Sequence, residues 1–313
     1  AMLFQHPTIE EFASVVQKYT DHSSWSPLVA IQPIGSNPPL FCIPGAGGFP
    51  FYLYNLARCL GPDQPFYSFQ AQDPNGEFAT ISKVEDIAAH YIQAMQAVQP
   101  QGPYFLGGHS FGGKVVFEMA QQLLRQGQVV ALVAILDTTA PIAHGKIHQK
   151  PQELDDTKWL INIAKSLQIA FAKDLEMDAQ PLRSLDPNEQ LKYVLEYFHM
   201  LSVLPPDADT TFLKHLLQAY KAHHTVEYVP QQINPVPITL FRSSEFLSDE
   251  PIVLPSEFLQ DESWGWSQFS SEPVDIHFVP GNHVSMMTQP HVQVLAERLN
   301  ACIKQHKMLG IAE

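Results

Sequence analysis

Three cysteines in 313 residues, Cys42, Cys59 and Cys302, are too few and too far apart for a disulfide framework or a zinc cluster. Basic residues are scarce as well. Eighteen Lys and Arg stand against 32 Asp and Glu, a formal net charge of −14. No basic patch can dominate such a field, which argues against unaided binding to nucleic acid or to an anionic membrane surface. No apolar run reaches 18 residues, and the start lacks a basic, apolar, small-residue leader layout, so no membrane span and no secretory signal are expected. A reducing cytoplasm is the expected setting. No internal repeat is visible. The chain does have 45% apolar and 16% charged residues, the balance of a globular protein rather than a disordered one.

Short apolar runs alternate with longer amphipathic ones. The runs predict strands at Pro27–Pro33, Leu40–Ile43, Phe66–Gln70, Tyr104–Gly107, Val129–Leu136, Pro237–Phe241 and Asp275–Val279. Several are continuously apolar, as strands covered on both faces are. Helices are expected at Tyr52–Leu60, Val84–Val98, Gly113–Gln126 and His291–Gln305. Strand and helix in alternation predict an α/β fold, a mostly parallel central sheet flanked by helices. Residues 142–235 break the rhythm with 94 residues, too long for an ordinary connection. They hold three helical patterns, Thr157–Ala170, Pro187–Leu201 and Thr211–His224, which predict a helical lid over one end of the sheet. A second interruption, Glu245–Glu272, is acidic and carries Trp264 and Trp266. The first twenty residues form a separate amphipathic pattern, followed by a polar linker-like stretch, Thr20–Ser26.

The strand Tyr104–Gly107 runs into Gly108-His109-Ser110-Phe111-Gly112 and a helix follows. This GxSxG pattern suits a sharp strand-to-helix turn that holds a nucleophilic serine in strained geometry, with small residues Gly108 and Gly112 on either side. Gly107-Gly108-His109-Ser110 also resembles the phosphopantetheine-attachment sequence of carrier domains. The preceding strand and the sequel Phe111-Gly112-Gly113 argue against that reading. After the strand Leu40–Ile43 comes Pro44-Gly45-Ala46-Gly47-Gly48. Glycines there allow close backbone approach, and the N–H groups of Ala46 and Phe111 are the expected oxyanion donors. A dinucleotide loop is not indicated, because GxGxxG spacing is absent.

The expected base is His283, in Pro280-Gly281-Asn282-His283, on a loop between the last strand and the last helix, where α/β-hydrolases keep theirs. His144 and His148 have metal-pair spacing and His223 and His224 are adjacent, but neither pair has a matching third ligand, so no metal is expected. Two acids compete to orient the base: Asp137, ending Val129–Leu136, and Glu245, following Pro237–Phe241. Either gives the order serine, acid, histidine.

PGAGG, GHSFGG and PGNHVSMM, with ILDTTAP between them, together resemble the type I thioesterase domains that end nonribosomal peptide synthetases and polyketide synthases. Gly265-Trp266 before the last strand also looks like that family, and the resemblance covers about Pro27 to Ile303. It implies an α/β-hydrolase fold and a catalytic trio of Ser110, Asp137 and His283, with Asp137 lying 27 residues past the serine at the usual interval. It departs from many relatives in that His283 lies 146 residues past Asp137, so lid details are not carried over.

The resemblance further implies an acyl chain delivered as a thioester on the phosphopantetheine arm of an upstream carrier domain, with no bound cofactor. Leu3-Phe4-Gln5-His6-Pro7-Thr8-Ile9 and the helix after it resemble the closing helix of such a carrier. The expectation is therefore an excised C-terminal piece: carrier remnant and linker over 1–20, then a thioesterase domain over 21–313, with core segments 27–141 and 236–306. Release by macrocyclisation is expected, the alternatives being hydrolysis to a linear acid, an editing thioesterase, a stand-alone serine esterase or a non-catalytic carrier-docking module. The aromatic stripes of the lid, with Trp159, Tyr193, Tyr197 and Tyr220, are the expected substrate-binding residues.

Overall fold

A computed structural model describes residues 26–71, 83–141, 155–173, 176–204, 207–230, 236–245, 260–270 and 272–309. The carrier-like helix expected in the first twenty residues lies outside them, as do most of the expected linker, His144 and His148. Among the described residues, seven strands form one sheet: β1 (Leu28–Gln32), β2 (Leu40–Ile43), β3 (Phe66–Phe69), β4 (Tyr104–His109), β5 (Val130–Leu136), β6 (Ile238–Ser243) and β7 (Asp275–Val279). Their spatial order is β1-β3-β2-β4-β5-β6-β7, and only β1 runs antiparallel, against β3. The remaining pairs are parallel, as the strand–helix alternation predicts.

Strand periodicity decides which side chain meets which layer. Phe41, Ile43, Leu106, Val133 and Ile135 face one side. There they pack against α2 (Val84–Gln96) and α3 (Phe111–Arg125) through Ile87, Tyr91, Val115 and Met119. Leu40, Cys42, Phe105, Leu132, Ala134 and Leu136 face the other side. They meet α1 (Tyr54–Cys59) and α7 (His291–Leu309) through Leu56, Leu295 and Leu299. Burial of a single such side chain is worth about 1.5–3 kcal/mol, so the two layers fix the sheet between them.

The segment between β5 and β6 carries α4 (Asp156–Ala170), α5 (Pro187–Leu201) and α6 (Thr210–Thr225). Each starts on an aspartate cap. Asp155 and Asp209 accept from the N–H of Lys158 and Phe212, and Asp186 forms a reciprocal box with Glu189 behind Pro187. The three helices share a core of their own, with Leu160, Ile163, Val194, Phe198, Leu213 and Leu216 buried together. After α6 the chain is tied back to the sheet layer, where Tyr228 donates its hydroxyl proton to the buried Glu118 of α3 at 2.6 Å. Among the described residues, no helix is long and apolar enough to cross a membrane.

Candidate active site

Ser110 stands between β4 and α3 with φ 54° and ψ −125°, a conformation that costs a non-glycine residue on the order of 1–3 kcal/mol. The neighbouring glycines explain how the chain holds it. A Cβ on Gly108 would lie 2.2 Å from the carbonyl oxygen of Gly112, and one on Gly112 would lie 2.4 Å from that of Ile43. Thr138 braces the turn by donating its hydroxyl proton to the Ser110 carbonyl at 2.7 Å. The buried indole of Trp266 in turn donates to the Thr138 carbonyl at 2.6 Å.

Asp137 follows β5, is 6% exposed and has φ 53°. Its Oδ1 accepts from the Ser243 N–H at 2.5 Å, and its Oδ2 accepts from the Ser243 hydroxyl at 3.1 Å and from His283 Nδ1 at 2.8 Å. Burial pushes this carboxyl up, but the hydrogen bond and charge of His283, with the Ser243 N–H, outweigh it and hold the group below the usual carboxylate range. Because Nδ1–H is given to Asp137, a neutral His283 keeps its other ring nitrogen as an acceptor. Glu245 is exposed, and its backbone N–H donates to the Gly281 carbonyl at 3.0 Å. Of the two acids, Asp137 is the one hydrogen-bonded to His283.

Phe111 follows Ser110 in the chain, and Ala46 lines the same cleft as Ser110. Phe111 opens α3, so its N–H has no acceptor within the helix. Among the described residues, neither the Ala46 nor the Phe111 N–H finds an acceptor. A 15-residue helix also directs the positive end of its dipole toward Ser110.

His109 and Tyr52 carry no signal of their own in the sequence, yet they tie the glycine loop to His283. The Gly45 N–H donates to the Tyr52 hydroxyl at 2.7 Å, and that hydroxyl lies 2.9 Å from His109 Nδ1. His109 Nε2 is 2.8 Å from the His283 carbonyl, which can only accept, so the His109 proton is on Nε2 and Tyr52 donates to Nδ1. Burial first, and the neighbouring His283 second, push His109 down to about 3, which keeps it neutral in that tautomer. Its ring also stacks on that of His283, with centroids 4.8 Å apart.

Ser110, His283, His109, Tyr52 and Ala46 line one open cleft. Its far wall is α4, through Asn162, Ile163, Ser166, Leu167 and Ala170, with Leu216, Tyr220 and His224 from α6. Of the four aromatic residues expected to bind substrate, Tyr220 alone lines this cleft. Trp159 and Tyr197 are buried in the core of the helical insertion, and Tyr193 packs against that core while donating its hydroxyl proton to the Asp178 carbonyl at 3.0 Å. Aromatic stripes at helical spacing here serve contact between helices before contact with a ligand.

Among the described residues, one group of possible metal ligands converges, Asp275 and His277 on β7 with Cys302 on α7. His277 Nε2 lies 2.9 Å from Asp275 Oδ2 and 3.5 Å from Cys302 Sγ. Burial pushes the Cys302 thiol up to about 11, so without a metal it stays protonated. None of the three lines the cleft.

The family model for the thioesterase domain matches residues 38–303. The chain is 32% identical over 304 residues to the chondramide synthase cmdD of Chondromyces crocatus, covering 95% of this chain and 8% of that protein. A solved four-domain nonribosomal peptide synthetase bound to AMP and glycine superposes with a TM-score of 0.75 at 30% identity, over 96% of this chain and 22% of that one. The Vlm2 thioesterase domain superposes with a TM-score of 0.64 at 21% identity, over 88% of this chain and 96% of that one, a likeness of fold. The chain spans 8% of the length of the chondramide synthase and 31% of the length of the atromentin synthetase nps3 of Serpula lacrymans var. lacrymans, to which it is 28% identical over 315 residues, 96% of this chain.

Proposed function

This chain belongs to the thioesterase-domain family, and from that premise we propose that it releases an acyl or peptidyl chain from a carrier domain by way of an ester on Ser110. The observation that carries the reading is the strained Ser110 at the head of α3, in one cleft with a histidine that is hydrogen-bonded to a buried carboxylate. His283 takes the hydroxyl proton of Ser110 on its other ring nitrogen, Nε2, and the serine oxygen attacks the thioester carbonyl. Asp137 fixes the imidazole tautomer and stabilises the imidazolium that forms. The N–H groups of Ala46 and Phe111 hold the negative oxygen. Collapse of the tetrahedral adduct expels the thiolate of the phosphopantetheine arm, which leaves with the imidazolium proton. A second nucleophile then frees the chain from Ser110. No bound cofactor takes part.

The partner in this reading is an upstream carrier domain, of which residues 1–20 are the last remnant, and the setting is cytoplasmic. The three helices of the insertion serve as a lid. We read the second nucleophile as a hydroxyl or amine of the acyl chain itself, giving a macrolactone or macrolactam. Ile163, Leu167 and Leu216 give the cleft an apolar wall opposite Ser110, against which a long chain can fold back while water is kept away. Proximity of this kind can contribute effective molarities of about 10⁵ M or more, against water at tens of molar.

The test is a fluorophosphonate probe followed by matched S-acyl-N-acetylcysteamine thioesters and oxygen esters, with and without a terminal nucleophile. Labelling together with faster turnover of thioesters is expected, with cyclic product from the chains that carry the nucleophile. Absence of labelling would remove every serine-enzyme reading. Preference for simple oxygen esters would favour a stand-alone esterase, and linear acid from every chain would leave hydrolytic release.

A further inference from the structure

The helical insertion meets the loops around Ser110 through one stripe of α6. Leu216, Tyr220 and His223 follow at spacings of four and three, so they share a face. A Cβ on Gly47 would lie 3.1 Å from Leu216 Cδ1 and 3.3 Å from Tyr220 Cδ2, which means α6 is seated directly on that backbone. His223 is 6% exposed and makes two further contacts. Its Nδ1 accepts a hydrogen bond from the Gly47 N–H at 3.2 Å. Its ring lies flat on Phe111, with centroids 4.2 Å apart and planes 15° from parallel.

Gly47 follows Ala46 and Phe111 follows Ser110. One side chain of the insertion therefore touches both loops that carry the oxyanion donors. We propose that His223 is a positioning residue that couples the seating of α6 to the geometry of the oxyanion site, so that acyl transfer is fast only when the insertion is docked. The proposal rests on reading Ser110 as nucleophile and the Ala46 and Phe111 N–H groups as donors.

Three physical points support it. Gly47 and Gly48 have φ of +85° and +62°, a loop conformation with few side-chain restraints of its own, and the His223 hydrogen bond ties it to a rigid helix. That bond also occupies the Gly47 N–H, leaving the Ala46 N–H as the donor that this loop presents to substrate. The ring stack holds Phe111 at the start of α3, where a displacement of about 0.5 Å already weakens a preorganised site. Burial first, and the neighbouring His224 second, push His223 down to about 3. At neutral pH it is therefore uncharged and its Nδ1 can go on accepting.

The experiment compares the parent chain with His223→Phe and His223→Asn on an S-acyl-N-acetylcysteamine thioester, reading kcat and KM separately beside the melting temperature. The Phe variant keeps a ring against Phe111 but offers the Gly47 N–H no acceptor. Its kcat is expected to fall about 10- to 100-fold, short of the 10²–10³ that follows outright loss of an oxyanion donor, with KM within about twofold. The Asn variant restores an acceptor near the Nδ1 position and should recover at least about threefold in kcat over Phe, within the same range. A Phe variant with parental kcat, a loss confined to KM, or an Asn variant no better than Phe would overturn the proposal. If the Phe variant does not fold, His223→Ala takes its place and the same order, Asn above Ala, is required. Fluorophosphonate labelling of the parent separates the layers: an unlabelled Ser110 overturns the premise and the proposal with it, whereas a labelled parent with fully active variants overturns the proposal alone.

Discussion

Asp137 and Glu245 begin as equals, because each is the acid that follows a strand and each precedes His283 in the chain. The resemblance to a known family favours Asp137, and the register of the sheet explains the geometry behind that preference. Leu136 of β5 lies opposite Phe241 of β6, so the ends of the two strands are neighbours and either could approach the same histidine. The Asp137 carboxylate is buried and hydrogen-bonded to His283 and Ser243, whereas Glu245 is exposed two residues beyond the end of β6. Asp137→Asn should therefore lower kcat by up to about 10⁴, the scale of a wrong imidazole tautomer. Glu245→Gln should stay within about twofold of the parent, a change too small to register on that scale. Steady-state kinetics on one thioester checks both, and the reverse ranking would move the orienting acid to β6. His109 and His223 could not have been singled out in this way. Nothing in the spacing of the fourteen histidines ties His109 or His223 to Ser110 or the glycine loop, and partners of these two lie 174 and 176 residues away in the chain.

At the scale of elements, strands and helices were legible wherever burial alone decides them. The runs Leu40–Ile43, Asp275–Val279 and Pro187–Leu201 are elements with those limits. Departures occur where tertiary contacts override propensity. The helix after Ser110 is expected from Gly113, yet α3 begins at Phe111, because the sharp turn at Ser110 leads straight into it and the close approach of Gly112 to Ile43 requires glycine. The pattern at Tyr52–Leu60 splits into a 3₁₀ turn over Pro50–Leu53 and α1, with Pro50 at the first position of the turn. The antiparallel direction of β1 has no local signature at all. The insertion shows the same limit: its periodicity announced three helices, but not which stripe turns inward to a neighbouring helix and which lines the cleft. Ser166 is half-buried on the cleft side of α4. Ser166→Trp should fill that space, raising KM for long acyl thioesters by about tenfold, equivalent to roughly 1.4 kcal/mol, while leaving an acetyl thioester within twofold. A matched series of chain lengths reads this out, and an effect independent of length would place the acyl chain elsewhere.

For the molecule as a whole, the buried histidines set a pH dependence of stability that is separate from catalysis. Burial lowers His109 and His223 from 6.5 to about 3. The unfolded chain binds protons at these sites below about pH 6.5 and the folded chain does not, so stability falls as the pH drops through that range toward 3. Each of the two should cost roughly 2 kcal/mol between pH 6.5 and pH 5, at about 1.4 kcal/mol per unit. Asp137 acts in a lower window, because its depressed carboxyl gives stability that is lost only as the pH falls through and below the usual carboxylate range. Urea midpoints should therefore decline steadily from pH 7 to pH 5, and a flat profile would mean that the two rings are solvated in the folded chain. The layered sheet, the insertion and the loops converge on the hydroxyl of Ser110, and a covalent ester there is the most direct test. The parent and Ser110→Ala would be mixed with a slowly released acyl thioester and their intact masses read within seconds. One acyl group on the parent, mapped to the peptide containing Ser110, with none on the variant, is the expected result. An acyl adduct that persists in Ser110→Ala, or thioester turnover undiminished by that substitution, would contradict it.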